Sequence, residues 1–144
     1  MKILAIDIGT GTQDILLFDT ESQVENCLQM IIPSPTALVA QQIRNATKQG
    51  EDVLLTGTTM GGGPSSWAAD DHLRAGYRVF ATPSAAKSFN DDLVEVEKSG
   101  IKVVSEDEAA KMSQVSRVDM CDVNLDSLHR VELKIEPPKR SKRN

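Results

Sequence analysis

The residues best suited to chemistry lie near the start of the chain, in the run Asp7-Ile8-Gly9-Thr10-Gly11-Thr12. A bound phosphate needs donors at close range. Glycines let backbone N–H groups approach an anion without a Cβ in the way and can take positive φ, and Thr10 and Thr12 add hydroxyl donors. Asp7 ends an apolar run, so its carboxylate is expected at a strand end, facing the same space. A carboxylate beside a phosphate repels it unless a cation or its water shell lies between, and Mg2+, which keeps several of its waters, suits that place. The plain alternative is a tight hairpin in which Gly9 and Gly11 supply backbone angles and Asp7 bonds the turn. The pattern lacks the third glycine and immediate helix of a dinucleotide fingerprint, and the Gly-Lys-Ser/Thr of a Walker loop.

A second glycine run, Gly57-Thr58-Thr59-Met60-Gly61-Gly62-Gly63-Pro64-Ser65, follows the wholly apolar Val53-Leu54-Leu55. Ligands of open α/β sheets bind beyond the carboxyl ends of strands, and helix N-termini offer free N–H groups to anions. Gly57, Thr58, Thr59, Gly61, Gly62, Gly63 and Ser65 are therefore candidates for a second anion- or substrate-contacting loop. Consecutive glycines cost folding entropy, which favours a role beyond linkage; a flexible connector whose Pro64 and Ser65 start a helix is the plain reading. Both loops open on one pocket if the first and fourth strands are neighbours.

The remaining candidates are weaker. Trp67, the sole tryptophan, is expected to pack. Asp70, Asp71 and His72 are consecutive on a helix and point in different directions, a poor chelate and a better solvated face. Thr82-Pro83-Ser84 reads equally well as a turn with a helix cap or as a lining of the same sheet edge. Glu95 and Glu97 suit an exposed helix face, and His129 a charged surface. No Ser/His/Asp or Cys/His set is present. Cys27 and Cys121 are far apart and read as reduced thiols of an intracellular, cytoplasmic protein.

Composition narrows the classes further. The chain has 144 residues, a net charge of -5, 40% hydrophobic residues and 3% aromatics. One domain with an aliphatic core is expected. The acidic body and scarce aromatics argue against binding nucleic acid. No stretch approaches the roughly 18 apolar residues of a membrane span. The basic residues Lys139, Arg140, Lys142 and Arg143 follow Pro137 and Pro138 and suggest that residues 137–144 form a solvated, disordered tail beyond a single domain over 1–136, with a core over about 1–112.

The elements that would position these loops follow from periodicity. Residues 2–8 and 14–19 read as a hairpin, and 24–32 as a third strand ended by Pro33 and Pro35. Ser34 or Thr36 caps a helix over 37–49, stopped by Gly50. Residues 53–55 form a buried strand, and Ser65 or Ser66 caps a helix to about Ala75, stopped by Gly76. A strand over 77–81, a helical turn at Ser84, a helix over 91–98, a strand over 101–104 and a helix over 106–112 complete the pattern. Val118-Asp119-Met120 suits an edge strand, and Asn124 a short helix cap. A three-strand antiparallel meander followed by parallel crossovers gives an α/β fold with one mixed sheet covered by helices.

Ala5-Ile6-Asp7-Ile8-Gly9-Thr10-Gly11-Thr12, followed by Ile15-Leu16-Leu17-Phe18-Asp19, resembles the first phosphate motif of the superfamily of actin, heat-shock chaperone ATPases and sugar kinases. The resemblance implies a ribonuclease H-like lobe, with Asp7 as the metal-facing carboxylate, Gly9 to Thr12 as the phosphate cradle, and ATP or another nucleotide bound with Mg2+. The second loop loosely resembles the substrate loop of sugar kinases. The runs at 7–14, 56–64 and 81–86 are similar to a prokaryotic family labelled as a pyruvate formate-lyase activating protein. A radical activating enzyme needs clustered cysteines for an iron–sulfur centre, and two distant ones do not supply it. The superfamily closes two lobes around nucleotide, and this chain carries features of the first. The expectation is thus a nucleotide- or phosphate-binding lobe, incomplete for catalysis alone. The alternatives are a non-catalytic module that self-associates as a homodimer or pairs with a second lobe, and a small enzyme acting on a phosphorylated metabolite.

Overall fold

The computed structural model describes residues 1–123; the expectations for Asn124, His129 and the 137–144 tail lie outside them. The chain runs β1 (Lys2–Ile8), β2 (Thr12–Asp19), β3 (Leu28–Pro33), α1 (Pro35–Gln49), β4 (Val53–Gly57), α2 (Pro64–Arg74), β5 (Val79–Ala81), α3 (Pro83–Ala86), α4 (Leu93–Lys98), β6 (Lys102–Val103), α5 (Glu106–Lys111) and β7 (Ser116–Met120). The α/β class and the order of meander then crossovers match expectation. The single mixed sheet does not. The strands divide into a three-stranded antiparallel sheet, β1-β2-β3, and a four-stranded parallel sheet, β6-β5-β4-β7. β7 is an edge strand, as expected, and takes one side of β4, so the first and fourth strands are not neighbours.

Local chemistry explains the shifted boundaries. The expected third strand breaks into a 3-10 turn at Val24–Asn26 and a strand from Leu28. Helix α1 starts at Pro35, whose missing N–H costs nothing at the first position, with the Ser34 hydroxyl accepting from the Ala37 N–H. Gly50, at φ 73°, ends it. β5 starts two residues late because Asp52 claims Arg78: its carboxylate accepts from the Arg78 N–H and Nε, each at 2.8 Å.

Alternation in the strands sorts the core. Val53, Leu55, Val79, Ala81, Val118 and Met120 face α1 to α4, where Val39, Ala40, Ile43, Ala68 and Ala69 meet them. Leu54, Phe80 and Val104 face the opposite side, covered by Ala109 of α5. That short helix is fastened by a capping box between Ser105 and Glu108. The Arg117 guanidinium also donates to the carbonyls of Ala109 and Met112, at 2.6 and 2.9 Å.

Two expectations about side chains are reversed. Trp67 is 64% exposed rather than packed. Asp70 and Asp71 are solvated, but His72 is fully buried. Thr47 donates its hydroxyl proton to the Ile43 carbonyl, so that oxygen accepts from His72 Nδ1 at 2.7 Å. This sets the Nδ1–H tautomer, while Nε2 meets no partner among the described residues. The ring lies against Tyr77, with centroids 5.3 Å apart. Burial pushes the His72 pKa below its ordinary 6.5, and the Arg78 backbone and the Asp52 carboxylate offset this only in part.

Stability should therefore fall on acidification in two windows. Above pH 6.5 the imidazole is neutral in both states, and its contribution is intact. Below 6.5 the unfolded chain takes a proton that the buried ring refuses, so stability drops with a slope of at most about 1.4 kcal/mol per pH unit. Asp52, held below its ordinary 3.8 by Arg78, acts later: its contribution is present above 3.8 and is lost as pH falls through its folded value. Urea unfolding at stepped pH should show the first slope in the native chain and lose it in His72→Phe. An unchanged slope in that variant overturns the assignment.

Candidate functional site

Two helix starts hold the two glycine loops. The buried Ser34 at the start of α1 donates its hydroxyl to the Thr10 carbonyl at 2.8 Å, and its N–H donates to the Gly11 carbonyl at 3.1 Å. In a trans peptide the N–H points opposite the C=O, so the Gly11 and Thr12 N–H groups point away from Ser34. Two residues on, the buried Thr36 hydroxyl donates to the Gly62 carbonyl at 2.8 Å and accepts from the Ser65 N–H at 3.2 Å. The Ser65 hydroxyl lies 3.0 Å from it. One turn of α1 therefore fixes both loops.

They converge on a cavity of about 470 Å3 lined by Ile8, Gly9, Thr10, Thr36, Gly61, Gly62, Gly63 and Asp122. It lies at the carboxyl ends of β1, β4 and β7. The N-termini of α1 and α2 both meet it through Thr36 and Gly63, and neither helix has an acidic residue in its first turn. Gly63, at φ 79°, caps α2 without a side-chain bond. Among the described residues, the N–H groups of Thr10, Gly11, Thr36, Gly62, Gly63 and Ser66 meet no acceptor. Unpaired amides and the N-terminal ends of two helix dipoles gather here, and no lysine or arginine lines the cavity. The single charge is Asp122, whose Oδ1 accepts the Gly61 N–H at 3.1 Å.

The expected residues separate into groups. Gly9, Thr10, Gly61, Gly62 and Gly63 line the cavity together. Gly11 and Thr12 are exposed beside it, and the Gly9 N–H is spent on the Thr12 carbonyl at 2.9 Å. Neither Gly9 nor Gly11 has positive φ; Gly57 and Gly63 do. Asp7 does not share the cavity. It alternates with Ile8 and lies on the other face of the hairpin, opposite Asp14, beside a cavity of about 220 Å3 shared with Ala5, Leu16 and Gln29. Thr58 is tied to β7, its N–H and hydroxyl both reaching the Met120 carbonyl. Thr59 bonds the Ser84 carbonyl at 3.0 Å, which ties the second loop to α3. Gly57, at φ 96°, has a packing reason: a Cβ there would lie 2.6 Å from Asp119 Oδ1. Thr36 and Asp122 were not singled out in the sequence. Thr36 reads locally only as a helix cap, and Asp122 reaches the site because β7 pairs with β4.

These features define an α/β protein with an amide-rich cavity at the carboxyl ends of its strands. Residues 60–141, more than half of the chain, match the family described as "Putative pyruvate format-lyase activating enzyme (DUF1786)", and the chain belongs to that family. The match starts within the second glycine loop and includes Asp122. No curated protein and no solved structure matches the chain. The two cysteines, Cys27 and Cys121, lie beside different sheets, and among the described residues no group of three metal-ligating side chains occurs.

The clamp and the glycines give contrasting expectations. Thr36→Val should destabilise by about 2 kcal/mol, because the Gly62 carbonyl and the buried Ser65 N–H both lose their partner. Gly57→Ala should cost about 2–4 kcal/mol through strain and overlap. Gly11→Ala, whose Cβ meets nothing within 4 Å, should change stability by less than about 1 kcal/mol. Chemical denaturation of the three variants checks the order, and equal losses at Gly57 and Gly11 would contradict it.

Proposed function

We propose that this chain is a nucleotide- or phosphate-binding lobe related to those of actin-like ATPases and sugar kinases, of ribonuclease H-like ancestry, which does not complete catalysis alone. The observation that carries the reading is the convergence of both glycine loops and two helix N-termini, none with an acidic first turn, on one cavity. A phosphate there would receive backbone N–H donors and the Thr10 hydroxyl at close range. Asp122 would repel a bare phosphate, so the reading calls for Mg2+ between them, with most of its waters kept. In this scheme Asp122 takes the place near the metal that Asp7 was expected to hold, and Asp7 contributes only if the hairpin turns. Phosphoryl transfer needs charge stabilisation from several sides, and no basic side chain lines the described wall. A second lobe, on another protein or on another copy, would supply it. A cytoplasmic setting with reduced thiols goes with this function; no described helix is long and apolar enough to cross a membrane.

Two exposed apolar side chains favour a second reading, a non-catalytic interaction module. Trp67 is 64% and Leu38 50% exposed, each in the first turns of the helices that frame the cavity. Large apolar groups so placed suit a protein partner.

Thermal unfolding separates the readings. MgATP at a hundred times its dissociation constant should stabilise the fold by about 2.7 kcal/mol, a rise of several degrees, with Mg2+ alone giving none. Gly61→Val, whose first added carbon comes no nearer than 4.0 Å to Asp122 Oδ1, should fold and lose the shift by filling the cavity. A shift with sugar phosphates but not ATP would move the assignment to a phosphorylated metabolite. No shift with nucleotide, phosphate or sugar phosphate, together with self-association, would replace the binding reading by the interaction module.

A further inference from the structure

The antiparallel sheet is apolar on both faces. β1 reads Ile3-Leu4-Ala5-Ile6 and β2 reads Ile15-Leu16-Leu17-Phe18, the pattern of strands covered on two sides rather than of a sheet with one wet face. One face belongs to the larger cavity: Ile8 lines it with Thr36, and the β2 partners of Ile6 and Ile8, Ile15 and Gln13, are buried. The other face carries Ile3, Ala5, Leu16, Phe18 and Ile31, and none of these belongs to either layer of the core. Ile3 is 44% and Ile31 64% exposed. At the hairpin end of this face Asp7 and Asp14 stand directly opposite each other, and like charges so placed repel. Among the described residues neither carboxylate has an ion-pair partner. The cavity of about 220 Å3 lies here, lined by both carboxylates with Ala5 and Leu16.

We infer that residues 130–143 of this chain cover that face, with Val131, Leu133 and Ile135 on its apolar row and Lys139, Arg140, Lys142 and Arg143 against Asp7 and Asp14. Three observations choose this occupant. The first is pattern. Val131, Leu133 and Ile135 alternate with Glu132, Lys134 and Glu136, so that run, when extended, offers one apolar and one charged side. A cover that is wet on its outside requires both. The second is charge. Residues 124–144 hold six basic against three acidic side chains, in a chain whose net charge is -5. Their four last basic residues supply the counter-charge that Asp7 and Asp14 lack. The third is reach. Val123 follows Asp122, which lines the larger cavity with Ile8 and Gly9, so the chain departs beside the same hairpin end. The residues from there to Lys139 span up to about 50 Å when extended, about twice the length of β2. A second copy fits less well. Stacking two such faces adds no counter-charge to either acidic pair, whereas a tethered segment brings it at an effective concentration of order millimolar. The inference concerns the face remote from the larger cavity and stands whether or not that cavity binds phosphate.

Methyl NOEs and a charge-swap cycle on the full-length chain test it. In a monomer, the methyl groups of Ile3, Leu16 and Ile31 give NOEs to those of Val131, Leu133 and Ile135. Lys139→Glu, Arg140→Glu, Lys142→Glu and Arg143→Glu together lower the melting temperature by about 3 °C at low salt. Most of that loss disappears near 1 M salt, where charges are screened within about 3 Å. Adding Asp7→Lys and Asp14→Lys reverses both partners and restores about half of it or more. A monomer without NOEs from this face to residues 130–136 overturns the inference. So do NOEs that arise only as a dimer forms, which would give the face to a second copy. A fourfold reversal without effect, or with the same effect in the presence and absence of Asp7→Lys and Asp14→Lys, overturns it as well.

Discussion

The first turn of α1 is the constraint on which the rest of the molecule depends. Ser34 spends its N–H and hydroxyl on the first loop, and Thr36 spends its hydroxyl twice on the second. These are buried groups, and a buried donor or acceptor left alone costs about 1–3 kcal/mol. The loops are thus fixed where glycine-rich backbone would otherwise be mobile. Because the clamp engages mainly carbonyls, it leaves several N–H groups of both loops unspent beside the cavity. Packing, loop order and electrostatics share one cause.

The same turn explains how two sheets serve one site. The parallel sheet carries most of the aliphatic core, and its strands deliver the second loop and Asp122. The antiparallel sheet delivers the first loop but contributes little to that core; only Gln13 and Ile15 of its residues are fully covered. Its position relative to the cavity is set by hydrogen bonds from α1 more than by apolar burial. That asymmetry makes the hairpin the adjustable part and the parallel sheet the fixed one.

Much of this was legible in the sequence. Apolar runs bounded by glycine and proline located nearly every element, and Ser34, Pro35 and Gly50 marked α1 because capping is local chemistry. Both glycine loops were found as candidates, and five of their residues line the cavity. The misreadings share a physical origin in long-range pairing. That β7 would take the side of β4 is settled by residues more than 60 positions apart, so neither Asp122 nor the packing demand on Gly57 shows in a local window. His72 reads as polar between Asp71 and Leu73, yet one turn of register buries it against Tyr77 and Thr47. Asp7 ends an apolar run and so reads as facing the loop, with the resemblance adding the metal; strand alternation sends it to the face opposite Ile8.

The two faces of the parallel sheet are unequally protected. Four helices cover one, while among the described residues the other rests under α5 with Met112 and Val115. That helix has few apolar side chains of its own and is moored largely by polar ties, chief among them the Arg117 guanidinium gripping its carboxyl end. Such a cover behaves as a buckle: loosening it would lay Leu54, Phe80 and Val104 open together while the opposite layer stayed intact. The molecule's first point of failure would then be the side remote from its cavity, and a shape able to hold a ligand could outlast the loss of half its insulation.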